Sequence, residues 1–128
     1  MDTKFPLIMP ADSETLILYR PVNQAELDLI AAADWRAFPP RLPEQPIFYP
    51  VTNEAYAAQI ARDWNVPYYG VGYVLRFAVD AAYASRFPVQ NVGGPEHDEL
   101  WVPAEDLAEF NQHIVGRIEV TQEFRREA

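Results

Sequence analysis

Apolar and polar positions alternate most cleanly along Tyr73-Val74-Leu75-Arg76-Phe77-Ala78-Val79, where Tyr73, Leu75, Phe77 and Val79 share one face and Arg76 lies on the other. A period of two predicts a strand. Thr15-Leu16-Ile17-Leu18-Tyr19-Arg20 is a second β-rich run, stopped by Pro21 so that Arg20 closes it. Ile118-Glu119-Val120-Thr121-Gln122-Glu123-Phe124 is a third, at the end of the chain. Leu27, Ile30 and Ala31 recur instead at helical spacing. Asn23 is the expected N-cap there, Glu26 follows three residues on as in a capping box, Val22 is placed to staple onto Leu27, and the helix should end near Trp35. A second helix carries Tyr56, Ala57, Ile60, Ala61 and Trp64 on one side, capped by Thr52 or Asn53 and stopped by Pro67.

Residues 38–50 hold Pro39, Pro40, Pro43, Pro46 and Pro50, which excludes helix and predicts a stiff crossing loop, with Gln45-Pro46-Ile47-Phe48-Tyr49 pairing briefly as an edge strand. Asp80 should cap a short helical turn through Ala82, Tyr83 and Arg86. Residues 89–95, with Gly93-Gly94-Pro95, read as a loop. After Trp101, Pro103 suits a first helical position, and Leu107, Phe110 and Ile114 form a buried stripe ended by Gly116. Short strands interrupted by helices without a regular strand-helix-strand rhythm predict an α+β fold. One domain over residues 15–124 is expected, with an N-terminal tail at 1–14 and a frayed end at 125–128.

Composition narrows this further. A chain of 128 residues with 49% hydrophobic and 23% charged positions has enough apolar content for one core. Its net charge of −9 disfavours nucleic acid, because phosphate backbones would be repelled. No cysteine is present, which excludes disulfides, thiolate metal ligands and a cysteine nucleophile. His97 and His113 are the only histidines, too few for a multi-histidine metal site. Neither a signal-peptide pattern nor a membrane-length apolar run occurs, so a cytoplasmic location with no membrane partner is expected. GxGxxG, Walker and GxSxG patterns are absent.

Chemistry concentrates at Glu96-His97-Asp98-Glu99-Leu100-Trp101. On an extended chain His97, Glu99 and Trp101 point to the same face, and Leu100 and Val102 to the other. Four stretches carry a resemblance: Leu18-Tyr19-Arg20-Pro21, Phe38-Pro39-Pro40-Arg41-Leu42-Pro43, Ile47-Phe48-Tyr49-Pro50-Val51 and Glu99-Leu100-Trp101-Val102-Pro103-Ala104-Glu105. In that order they resemble a family of small bacterial proteins labelled ADP-ribosylation/crystallin, over nearly the whole chain from Leu16 to Phe124.

That resemblance implies an ADP-ribosyltransferase-like domain, a small, mostly antiparallel split sheet flanked by three or four helices, that takes NAD as substrate without a metal. In the superfamily an Arg or His ends an early strand, a Ser, Thr or Tyr lies between a central strand and a helix, and a Glu lies on or beside a late strand. Arg20, Tyr49 with Thr52, and Glu99 follow that order. Breaking the nicotinamide-ribose bond develops oxocarbenium charge, which a carboxylate such as Glu99 stabilises. Arg20 would hold a diphosphate or ribose oxygen, Tyr49 would stack on nicotinamide, and Thr52 or His97 would bond ribose hydroxyls, with Trp101 lining the cleft. The acceptor, if there is one, would be a protein.

Each residue also has a plain structural reading. Arg20 would pair with an acidic neighbour, Tyr49 would pack in the loop, Thr52 would cap a helix, and His97 would be solvated or hydrogen-bonded. The competing function is a non-catalytic acidic module, regulatory or immunity-like, that binds a basic protein.

Overall fold

The computed structural model describes residues 14–94 and 97–126; the expected N-terminal tail falls almost wholly outside these. The elements run β1 (Thr15–Val22), α1 (Gln24–Ala32), β2 (Ile47–Phe48), α2 (Glu54–Ile60), a π-helical turn (Ala61–Asn65), α3 (Val66–Tyr69), β3 (Val71–Asp80), α4 (Ala81–Ala84), β4 (Val89–Asn91), β5 (Asp98–Leu100), β6 (Val102–Pro103), a 3₁₀ turn (Ala104–Asp106), α5 (Leu107–Gln112) and β7 (Ile114–Arg125). The class is α+β, and every strand pairing is antiparallel.

Strand β3 is the centre of the main sheet, between β1 and β7. Its register with β1 sets Leu18 opposite Phe77, Arg20 opposite Leu75 and Val22 opposite Tyr73. These rows face the larger core, which Phe48, Leu100, Val102 and Phe110 complete. The opposite face of the sheet carries Val74, and there Ala57 and Ala61 of the second helical stretch pack with Val51 into a smaller core. Beyond β1 the sheet continues only through single bridges: Tyr19 pairs with Val51, and Val51 pairs with Glu99, whose strand β5 pairs with β4.

Where the chain departs from expectation, the causes are local. Asn23 caps α1, accepting from the Glu26 amide at 2.9 Å, but the Glu26 carboxylate does not close a capping box because Arg20 takes it. Strand β1 also runs on through Pro21 to Val22, the central strand β3 holding it throughout. Asn53 rather than Thr52 caps α2, accepting from Tyr56 N at 3.0 Å.

Pro67 does not stop the second helix. The π-helical turn resets the hydrogen bonding just before it, so Pro67 lies in the first turn of α3, where a missing N–H costs nothing. Gly70 ends that helix in the left-handed conformation, its φ being 85°. Gly72 then lets β3 pass under the π turn: a Cβ there would stand 2.4 Å from the Ala61 carbonyl oxygen.

The expected loop at 89–95 contains β4, which hairpins onto β5; its Pro95 lies outside the described residues. Pro103 belongs to β6, and α5 ends at Gln112, so Ile114 serves strand β7 and not a helical stripe. That strand reaches Arg125, and Arg126 N donates to Gly70 O, so pairing continues past the point where fraying was expected to begin. No helix among the described residues is long and apolar enough to cross a membrane.

Candidate functional site

Glu99 stands at the junction of the sheet's two parts. Its backbone bridges Val51, Leu100 N donates to Pro50 O at 2.8 Å, and Thr52 N donates to Asp98 O at 3.1 Å, so β5 is tied to the segment between β2 and α2. Directly opposed residues of antiparallel strands share a face, which puts Tyr19, Val51 and Glu99 in one row under α2. The half-buried carboxylate accepts one hydrogen bond on each oxygen: Tyr56 Oη donates to Oε2 at 3.1 Å and Trp101 Nε1 donates to Oε1 at 3.1 Å. Each oxygen keeps a further lone pair. No lysine, arginine or histidine forms an ion pair with Glu99 among the described residues.

Aromatic rings frame this carboxylate. His97 stacks on Tyr56, ring centroids 4.2 Å apart and planes 17° from parallel, and Tyr49 meets Trp101 edge-on at 6.1 Å. His97 Nδ1 accepts from Gly94 N at 3.1 Å, which fixes the ring. Burial first, then the charge of Glu99 and the bond to it, pushes the Tyr56 phenol above its ordinary pKa. Tyr56 therefore stays a donor to Glu99 across the physiological range.

Tyr49, His97, Glu99 and Trp101 are thus gathered by the fold, with Tyr56 as the residue that joins them. Thr52 is adjacent but half-buried, and its hydroxyl carries no hydrogen bond among the described residues. Arg20 is not part of this group. Alternation along β1 turns it away from the Tyr19 row and into the larger core, where it is only 8% exposed. There its guanidinium grips Glu26 at both carboxylate oxygens, at 2.6 and 3.0 Å, and covers the Phe48 ring at 4.7 Å. The role of holding a ligand diphosphate, expected of Arg20, is displaced by this structural pair.

Comparison with protein-family models, curated proteins and solved structures found no match.

A cleft of about 590 Å³ opens beside Tyr56. Trp64, Tyr68 and Tyr69, which line it, are 62%, 69% and 63% exposed, and Trp64 stacks on Tyr68 with centroids 5.5 Å apart. Three large rings left in water on one helical stretch contribute little to the core. Trp64 was expected on one side of the helix, in a stripe with Tyr56 and Ile60, and all three line this cleft. Tyr56 belonged to the same stripe and gave no sequence signal for its bond to Glu99, since 43 residues separate the two. Among the described residues no group of three or more His, Asp or Glu side chains could hold a metal ion.

Proposed function

We propose that this protein is an ADP-ribosyltransferase-like domain that binds NAD, or a related nucleotide, against Glu99. The observation that carries this reading is the Tyr19–Val51–Glu99 row: the three segments implied by the resemblance lie side by side at the junction of the sheet. Glu99 is a carboxylate with acceptor capacity to spare, no cation on it among the described residues, and aromatic walls. Such a group stabilises positive charge developing on a ribose, and low local dielectric strengthens the effect. Tyr49 offers a ring edge beside Trp101, and the Tyr56 cleft is wide enough for a heterocycle. The diphosphate is not assigned to Arg20.

The test is incubation with NAD labelled in the nicotinamide ring. Release or transfer is expected from the wild-type protein and should fall at least a hundredfold in Glu99→Gln, the range seen on removing one transition-state electrostatic contact. Absence of any calorimetric signal with millimolar NAD sinks the proposal.

A second reading is favoured by the exposed rings of Trp64, Tyr68 and Tyr69 on a chain of net charge −9. Exposed rings on a chain of net negative charge suit a basic protein segment through cation–π contacts. A stoichiometric partner retained by Glu99→Gln but lost in Trp64→Ala would select this non-catalytic module over the enzyme.

A further inference from the structure

The proline-rich loop presents a cation that forms no ion pair among the described residues. Arg41 is half-buried, its Nε is closed off from solvent without any hydrogen-bond partner, and none of its N–H groups donates to an acceptor among the described residues. Its neighbours are Arg20 and Glu26. Both oxygens of Glu26 are already taken by Arg20, so the three groups sum to one excess positive charge. Burial first, then the like charge of Arg20, pushes the Arg41 guanidinium below its usual pKa, against smaller upward pulls from Glu26 and Tyr49. A half-buried guanidinium in that state is costly unless an anion compensates it.

Arg41 lines a cavity of about 200 Å³ together with Asn23 and Gln45. Each of those amides has its acceptor end engaged: Asn23 Oδ1 takes Glu26 N at 2.9 Å, and Gln45 Oε1 takes Leu42 N at 3.0 Å. Their NH₂ ends carry no bond among the described residues, so both present donors. The cavity also lies at the first turn of the nine-residue helix α1, where the backbone dipole favours negative charge. A guanidinium, two amide donors and a helix start, with the one carboxylate neutralised, compose an anion site on an otherwise acidic protein.

We propose that this cavity, between the start of α1 and the proline-rich loop, binds a phosphate-type oxyanion with Arg41 as its principal ligand. Donors from three side chains on two segments suit the three terminal oxygens of a phosphate better than the two of a carboxylate. The proposal does not depend on the NAD reading, because it is argued from Arg41, Asn23 and Gln45 and uses no contact of Glu99.

The experiment is calorimetric titration of the full chain with pyrophosphate, inorganic phosphate and acetate at constant ionic strength. Saturable binding of the two phosphates is expected, weakened roughly ten- to a hundredfold in Arg41→Met, as expected for loss of charge-assisted hydrogen bonds, and unchanged in the exposed control Arg62→Met. Acetate binding as tight as phosphate, or equal weakening in both variants, overturns the proposal, as does absence of any saturable heat. Should Arg41→Met not fold, phenylglyoxal modification of the wild-type protein, read by mass spectrometry, replaces it: pyrophosphate should slow modification of Arg41 several-fold but not of Arg62. Unprotected Arg41 refutes the site. Phosphate binding without NAD turnover would leave this site standing while removing the enzyme reading.

Discussion

Replacing Glu26 by Gln tests whether Arg20 is a structural cation. The Arg20 side chain is 10% exposed and that of Glu26 21%, and two bonds of 2.6 and 3.0 Å join them. Removing one partner of a buried pair costs about 3–5 kcal/mol because the other charge is left uncompensated. Glu26 is partly solvated, and Phe48 still faces the guanidinium, so about 2–4 kcal/mol is expected for Glu26→Gln.

The reverse change should be milder. Arg20→Met leaves a carboxylate that water reaches and that the first turn of α1 favours, so about 1 kcal/mol is expected. With an unfolding entropy of about 2.1 cal/mol/K per residue, the 128-residue chain loses about 4 °C of Tm per kcal/mol. Glu26→Gln should therefore melt about 7–15 °C below the wild type and Arg20→Met about 4 °C below it. The double variant should be less damaged than the sum of the two, as measured by urea unfolding. A Glu26→Gln cost below about 0.5 kcal/mol, or a larger cost for Arg20→Met, would refute the argument that Arg20 is committed to this pair.

Gly72→Ala places a Cβ 2.4 Å from the Ala61 carbonyl and 2.8 Å from Asn65 Cβ, so the π turn must move. A loss of about 1–3 kcal/mol in denaturant unfolding is expected, and an unchanged midpoint would mean that the turn yields freely. Burial first, then its hydrogen bond to Glu109, pushes the Tyr83 phenol up to about 12 from 10.0. The folded pKa lies above the unfolded one, so its contribution to stability is intact below pH 10 and lost as pH rises towards 12. Tyr83→Phe should flatten that alkaline fall in stability, read as Tm against pH, and an unaltered slope would discount the shift. Tyr56→Phe leaves Glu99 with a single donor, and NAD turnover should drop about tenfold or more while Tm changes by only a few degrees; full activity would exclude Tyr56 from positioning Glu99.

Much of the secondary structure was legible because it rests on neighbours in sequence. Asn23 and Asp80 were named as caps, and each accepts the amide three residues on. The face Tyr73, Leu75, Phe77 and Val79 was read from period two and lies in the larger core as expected. Errors fell where one local signal met a longer-range one. Pro67 reads as a stop, yet the close approach of Ala61 to Gly72 selects a π turn that makes the proline harmless. Residues 89–95 read as a loop, and Gly93 and Gly94 do lie outside any strand, but pairing with β5 makes Val89–Asn91 a strand.

The sequence alone determined an α+β chain with a carboxylate at Glu99 beside an indole at Trp101, since residues two apart on a strand share a face. Only the tertiary structure decided which side chains meet. The Tyr19–Val51–Glu99 row brought Tyr56 to Glu99 across 43 residues. The alternation of β1 sent Arg20 to the opposite face, and the engagement of Glu26 by Arg20 left Arg41 without a partner among the described residues. Strand registers and faces are set by burying apolar area, which many distant residues share, so charge pairing between remote segments cannot be read from local pattern.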